Sequence, residues 1–203
     1  MMINQDITTV LGATDIYLVD QIMKGRYKTG DVILDAGCGW GRNMHWFLRN
    51  NFKIYGIDTD PIVINELVRE NKALPPGRFR AEAVERSSFD REFFDGIISS
   101  AVLHFAKGTA HFFQMMDEMH RILKGGGTLF IRMASNIGIE NRVQPIGDGI
   151  FCIPDGSTRY LLTRDLLEQV LSRYSFSFLE DFKTVNVADL RCMRTLVLHK
   201  KKE

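Results

Sequence analysis

Residues 32–43 decide the fold, and they read Val-Ile-Leu-Asp-Ala-Gly-Cys-Gly-Trp-Gly-Arg-Asn. A short apolar run that ends at turn residues is typical of a buried parallel strand. Gly37, Gly39 and Gly41 follow it at alternate positions. Because glycine has no Cβ, the backbone here can adopt positive φ and a ligand can lie directly against the main chain. The stretch therefore predicts a strand that leads into a ligand-binding turn.

Spacing and charge restrict which ligand this turn can hold. A dinucleotide fingerprint, G-x-G-x-x-G, would place its third glycine at position 42, which is Arg42. The Lys-Ser/Thr pair of a phosphate-binding loop is also absent. Asp35 lies just before the glycines, and its carboxylate repels a pyrophosphate but attracts an ammonium or a sulfonium. A cationic nucleoside is favoured, and an NAD-dependent oxidoreductase is the second hypothesis.

The next segment continues this pattern. Residues 53–57 predict a second strand that ends at Asp58, and Asp60-Pro61 is a favourable N-cap and first residue for a helix. Together with residues 35–41, this order resembles the class I S-adenosylmethionine-dependent methyltransferases. The resemblance covers residues 29–200. It implies an α/β, doubly wound, mostly parallel seven-stranded sheet of order 3-2-1-4-5-7-6 with helices on both faces.

The resemblance also implies a cofactor, S-adenosyl-L-methionine, and roles for individual residues. Asp58 would bind the ribose hydroxyls, and Arg42 would either pair with the methionine carboxylate or project into water. Relatives place an aspartate after the third strand for the adenine amino group, where this chain has Ala83; Glu82 or Glu85 could substitute, or the backbone alone could suffice. The expected cofactor-binding set is Asp35, Gly37, Gly39, Gly41, Arg42, Asp58, Thr59, Ala83, Val84 and Ser100.

Hydrophobic periodicity predicts the remaining elements. We expect strands at 79–83, 94–100 and 128–133, helices at about 42–50, 109–123 and 165–173, and an antiparallel pair formed by 176–187 and 191–199. Lys124 and the three following glycines should end the second of these helices. The first 28 residues predict a helix that could cap the cofactor, with one apolar face formed by Ile16, Val19, Ile22 and Met23.

The sequence indicates less about the residues that would bind the methyl acceptor. His104 follows the fourth strand at the edge where open α/β sheets bind ligands, so it is a candidate base or substrate contact, or simply a histidine bonded to the backbone. The apolar segment 134–162 predicts a substrate lid. Arginines crowd the last third, and two that converge would bind an acceptor carboxylate or phosphate, unless neighbouring acids pair with them. They are Arg132, Arg142, Arg159, Arg164, Arg191 and Arg194.

Composition sets the remaining expectations. The 203 residues predict one domain, with 1–28 as a cap, and no apolar run is long enough for a membrane span. Three scattered cysteines and no apparent export signal favour a cytoplasmic protein without a metal. A net charge of +1 and the absence of base-methylation motifs disfavour nucleic acid, leaving a small-molecule acceptor and a monomer or homodimer. A non-catalytic S-adenosylmethionine-binding protein is the third hypothesis.

Overall fold

The computed structural model describes residues 6–202. Its central sheet is built from eight strands, which are β1 Val32–Ala36, β2 Lys53–Asp58, β3 Phe79–Ala81, β4 Phe94–Ser100, β5 Leu123–Ser135, β9 Phe176–Phe178, β10 Lys183–Val187 and β11 Arg191–Lys200. Their order in the sheet is β10-β11-β5-β4-β1-β2-β3, with β9 beside β11. Strands β1 to β5 run parallel, and β11 is antiparallel to β5.

The sheet follows the strand order expected from the sequence, with one difference. The predicted strand at 176–187 forms as two pieces, β9 and β10, which pair with opposite halves of β11. Residues 179–182 interrupt the strand, so the sheet has eight strands rather than seven. The parallel strands still end along one edge, where the glycine turn, Asp58 and Ser100 meet.

Helices cover both faces of the sheet. Helices α5 and α6 pack on one face, and α2, α3 and α4 pack on the other. Helix α4 begins as predicted, because Asp60 Oδ1 accepts a hydrogen bond of 2.8 Å from the Ile62 N–H and Pro61 occupies the first turn. Over residues 6–202 the α-helices are α1 Ile7–Leu11, α2 Ile16–Met23, α3 His45–Arg49, α4 Pro61–Glu70, α5 Thr109–Ile122 and α6 Arg164–Arg173.

Three predicted boundaries were wrong. Helix α3 begins at His45 instead of residue 42, because the chain first forms turns in which Gly41 O accepts from the Met44 N–H. The glycines 125–127 lie within β5, which starts at Leu123 and shifts register between its pairs with Phe94 and Gly96. Strand β3 ends two residues early.

The helix predicted near the N-terminus forms as α2, but the prediction of its buried face was wrong. Ile16 and Met23 are 74% and 82% exposed, whereas Leu18 is fully buried. The helix docks through Leu18 and Gln21, so its contact face is rotated away from the apolar stripe read in the sequence. The part of the predicted cap at 1–5 lies outside the described residues. Asp15, the N-cap of α2, is buried at the edge of the glycine turn.

The predicted lid segment contains a small antiparallel sheet. Its strands are β6 Gln144–Gly147, β7 Ile150–Cys152 and β8 Thr158–Tyr160. It is fastened to the central domain, because Asp148 Oδ1 accepts a 3.1 Å hydrogen bond from the Thr109 N–H at the start of α5. Its movement as a lid remains a prediction. Within the described range, no helix is both long enough and apolar enough to cross a membrane.

Candidate active site

The glycine turn after β1 has the backbone conformation that its sequence predicts. All three glycines have positive φ, between 50° and 77°. A Cβ on Gly37 would lie 2.4 Å from Val102 Cγ2, and one on Gly41 would lie 2.9 Å from Met44 Cε. At Gly39 a Cβ would meet no atom within 4 Å. Gly37 and Gly41 are therefore required for close packing, while Gly39 borders open space.

Asp58 connects the turn to the end of β2. Its Oδ2 accepts a hydrogen bond of 2.9 Å from the Gly39 N–H, and its Oδ1 accepts one of 3.1 Å from the Asp60 N–H. Each carboxylate oxygen can accept more than one hydrogen bond. The half-buried Asp58 thus holds the turn in place and keeps acceptor capacity for a ligand's hydroxyl groups.

A cavity of about 570 Å³ opens beside this turn, within the range of small-molecule sites. We call it the first cavity. Of the predicted cofactor residues, Gly37, Asp58, Thr59 and Val84 line it. Ala83, which forms a bridge with Arg86, does not line it. The other predicted cofactor residues that do not line it are Asp35, Gly39, Gly41, Arg42 and Ser100. The remaining lining residues are Glu82, Glu85, Ala101, Val102, Phe105, Lys107, His111 and Met115.

Two carboxylates in the first cavity could replace the missing adenine acid. Glu82 Oε2 accepts a hydrogen bond of 2.9 Å from the Ser88 N–H, and Glu85 Oε1 lies 3.2 Å from His111 Nε2. His111 Nδ1 accepts from the Lys107 N–H, so the ring can carry its proton on Nε2 and donate to Glu85. Glu82 and Glu85 therefore remain the side-chain candidates for an exocyclic amino group.

Asp35 is buried at the end of β1, and its Oδ2 has no hydrogen-bond partner among the described residues. Burial raises the pKa of Asp35 to about 7; Arg42 opposes this rise and Asp58 adds to it. A buried carboxylate with an unused oxygen is costly unless a donor or cation satisfies it. The site therefore fits a ligand with a positively charged group beside the glycine turn.

This environment predicts a proton-linked binding step. Because the pKa of Asp35 is raised in the folded chain, protonated Asp35 stabilises the fold. This contribution to the free energy of unfolding is lost as the pH rises through about 7. S-adenosylhomocysteine lacks the sulfonium but keeps an α-ammonium, which should bind to ionised Asp35, so its affinity should rise by up to about tenfold per pH unit below that pKa. Calorimetry in buffers of different ionisation enthalpy should detect proton release on binding.

The matched variants for this test are Asp35→Asn and Asp31→Asn. Asp31 precedes the opposite end of the same strand, so its removal should leave the proton release unchanged. Asp35→Asn should abolish the release. If the wild-type protein binds the ligand without releasing a proton, or if Asp35→Asn releases the same amount, Asp35 does not face the ligand's cation.

An ionic cluster that the sequence did not reveal lies at the edge of the glycine turn, around the buried carboxylate of Asp15. Asp15 Oδ2 accepts a hydrogen bond of 2.9 Å from Arg132 Nη1, and it lies 3.5 Å from Ser100 Oγ and 3.9 Å from Arg42 Nη2. Arg42 Nη2 in turn lies 3.4 Å from Ser100 Oγ. An aspartate before an apolar run predicts a helix N-cap, but not that its free oxygen reaches an arginine on β5.

A second cavity, of about 270 Å³, lies beside the first. Ala101 lines both cavities, and its φ of 64° is uncommon for a residue other than glycine. Its N–H donates to Arg132 O over 2.7 Å, which holds this turn in place. The other residues that line the second cavity are His104, Arg132, Ala134, Ile153, Asp155, Arg159, Val187, Arg191 and Met193.

His104 is buried in the wall of the second cavity. Its Nδ1 accepts a hydrogen bond of 3.3 Å from the Ala134 N–H, which places the ring proton on Nε2. Burial, with a further contribution from the charge of Arg159, lowers the pKa of His104 to about 4. At neutral pH His104 is therefore a hydrogen-bond donor through Nε2, and this geometry favours a substrate contact over a general base.

Replacement of His104 by alanine should lower turnover by about 3–10-fold, the effect of one hydrogen bond. The affinity for S-adenosylhomocysteine should not change. The rate should show no ionisation near the ordinary histidine pKa, since neutral His104 persists to about pH 4. His199→Ala, near the far end of β11, is the control. The contrary result would be a wild-type rate that falls with pH as a histidine is protonated, together with the loss of that pH dependence in His104→Ala. It would show that His104 is a general base.

The fold, together with the residues at the carboxyl ends of its parallel strands, defines the class of protein. A doubly wound sheet carries a glycine turn after β1, an acid after β2, and an adjacent cavity at the carboxyl ends of its strands. A family model described as "Methyltransferase domain" matches residues 34–131. Residues 34–131 thus match a methyltransferase domain, and the comparisons support a class I, S-adenosylmethionine-dependent methyltransferase.

Individual relatives agree with this class. The "Uncharacterized methyltransferase YodH" of Bacillus subtilis (strain 168) is 32% identical over 110 residues, which cover 53% of this chain and 42% of that protein. The chain therefore aligns with less than half the length of this relative.

Solved structures show the same fold. A SAM-dependent methyltransferase from Methanosarcina mazei superposes with a TM-score of 0.72 at 21% identity, covering 90% of this chain and 98% of that one. The 1,6-didemethyltoxoflavin-N1-methyltransferase of Burkholderia thailandensis, solved with 1,6-didemethyltoxoflavin and S-adenosylhomocysteine, gives 0.69 at 19% identity, covering 97% and 82%. Identities this low show the shared fold alone.

Proposed function

We propose that this protein transfers a methyl group from S-adenosylmethionine to a small-molecule acceptor bound in the second cavity. The observation that carries the proposal is the junction at Ala101, where the first cavity, beside the glycine turn, meets the second. The arginines that line the second cavity favour an anionic acceptor.

In this proposal the chain's residues hold the cofactor in a fixed orientation. Asp58 accepts from the ribose hydroxyls, and Asp35 lies beside the cationic end. Arg42 and Ser100, which lie together, face the methionine carboxylate. The adenine occupies the wall formed by Thr59, Glu82, Val84 and Glu85.

The chemistry requires little from the protein beyond positioning. S-adenosylmethionine supplies an activated methyl group: the acceptor's lone pair forms the new bond to the methyl carbon while the carbon–sulfur bond breaks and its electron pair stays on sulfur. Fixed alignment of reactants can contribute about 7–11 kcal/mol to such a step. Ala101 fixes the boundary between the two cavities, and His104 Nε2 donates to the acceptor.

The direct test is a transfer assay with isotope-labelled S-adenosylmethionine and a cellular metabolite extract. We expect label to appear in one or a few small molecules, and Asp58→Ala to abolish it. Cofactor binding without any transfer, over extracts of several sources, would instead favour a non-catalytic S-adenosylmethionine-binding protein.

A further inference from the structure

The charges around the second cavity are not balanced. Arg132 contributes no free positive charge, because its guanidinium is paired with the buried carboxylate of Asp15 at 2.9 Å. Arg159 and Arg191 differ from it: among residues 6–202, neither has a carboxylate oxygen within 4.0 Å. Arg159 instead places its guanidinium 5.0 Å from the ring centre of Phe105.

Asp155 is the acidic residue of this cavity wall. Its Oδ1 accepts hydrogen bonds from the N–H and the hydroxyl of Ser157, at 2.9 and 2.6 Å. These bonds lower the pKa of Asp155, and the charges of Arg159 and Arg191 contribute to the same effect. Asp155 is therefore ionised but bonded to its own turn, and it offsets only one of the two free guanidinium charges.

We propose that the methyl acceptor is a monoanion, with one carboxylate held by Arg159 and Arg191 and an apolar body that lies along Ala134, Ile153 and Met193. A guanidinium presents a planar fork of donors that matches a carboxylate. One carboxylate would neutralise the single net positive charge of the wall, since His104 is held neutral by its hydrogen bond from Ala134. This inference rests on the proposed function, because it assigns the second cavity to the acceptor.

The three apolar side chains suit an acceptor that is not a simple polar anion. Ala134 and Ile153 belong to a buried cluster that also includes Leu161, and Met193 packs against it. The lid segment contributes Ile153 and Arg159, whereas β5 and β11 contribute Ala134, Met193 and Arg191. The acceptor would therefore bridge the lid and the central sheet.

The test uses benzoate and benzamide as probes, which share a ring and differ in charge. Each is titrated by calorimetry or ligand-observed NMR into the protein saturated with S-adenosylhomocysteine. We expect benzoate to bind at least about tenfold more tightly than benzamide. Arg159→Gln and Arg191→Gln should each weaken benzoate binding by about five- to tenfold. Asp155→Asn should strengthen it, because it removes the opposing charge.

Arg142→Gln is the matched control. Arg142, like Arg159, belongs to the lid segment, but it pairs with Asp189 at 3.4 Å and does not line the cavity. Arg142→Gln should leave benzoate binding unchanged. All four variants should keep the wild-type affinity for S-adenosylhomocysteine. Equal binding of the two probes, or benzoate binding insensitive to both Arg159 and Arg191, would overturn the inference. Failure of S-adenosylhomocysteine to bind would overturn the proposed function instead, and the probes would then be titrated alone.

Discussion

Asp58→Ala should reduce the affinity for S-adenosylhomocysteine by about 100-fold or more, because hydrogen bonds to a charged group contribute about 1.5–3 kcal/mol each and two ribose hydroxyls lose their acceptor. The same change removes the bonds from the Gly39 and Asp60 N–H groups, so the glycine turn also loses its attachment to β2. Calorimetric titration measures the affinity, and circular dichroism verifies that the variant is folded.

Asp60→Ser is the matched control for Asp58→Ala. Serine preserves the N-cap of α4, so the neighbouring acid is removed without loss of the helix start. Its affinity for S-adenosylhomocysteine should stay within about threefold of the wild type, a difference below 1 kcal/mol. If Asp58→Ala also binds within that range, Asp58 only supports the turn and the ribose assignment is wrong.

Gly37→Ala should lower the free energy of unfolding by about 2–4 kcal/mol, and the melting temperature by roughly 5–15 °C. Two costs combine at this position. The φ of 77° is unfavourable for alanine, and the new Cβ would lie 2.4 Å from Val102 Cγ2. Thermal and denaturant unfolding, with and without S-adenosylhomocysteine, measure the loss.

Gly39→Ala separates the two costs. Its φ is 50°, but its Cβ would meet no atom within 4 Å, so only the backbone cost of about 1–2 kcal/mol remains. Val102→Ala in the Gly37→Ala background should recover about 1–2 kcal/mol, since it removes the clashing methyl groups. Equal destabilisation by Gly37→Ala and Gly39→Ala would show that close packing at Val102 does not limit position 37.

Much of the fold was predictable because local patterns encode it. The apolar run before Asp35, the acid after β2 and the Asp60-Pro61 helix start act over a few residues, and each has its expected conformation. Strand order followed from the family resemblance and was confirmed. The errors arose where packing overrides local preference: the three glycines were assigned to a helix end, but they lie in β5, where Leu123 pairs with Phe94.

The site was predictable only in part, for a similar reason. The residues around the glycine turn are neighbours in sequence or lie on adjacent strands. The ionic cluster joins Asp15 to Arg132, which are 117 positions apart, so no local spacing could reveal it. The convergence of arginines was a conditional prediction. Arg132, Arg159 and Arg191 do share one cavity, whereas Arg142 pairs with Asp189 and Arg194 stacks over Phe182.

The most direct test of the central claim is calorimetric titration of the purified protein with S-adenosylhomocysteine and, separately, with NAD. The geometry around Asp35, Gly39 and Asp58 predicts one S-adenosylhomocysteine per chain with micromolar affinity, and no detectable binding of NAD. Binding of NAD without binding of S-adenosylhomocysteine would contradict the assignment of this turn to a cationic nucleoside, and with it the proposed methyl transfer.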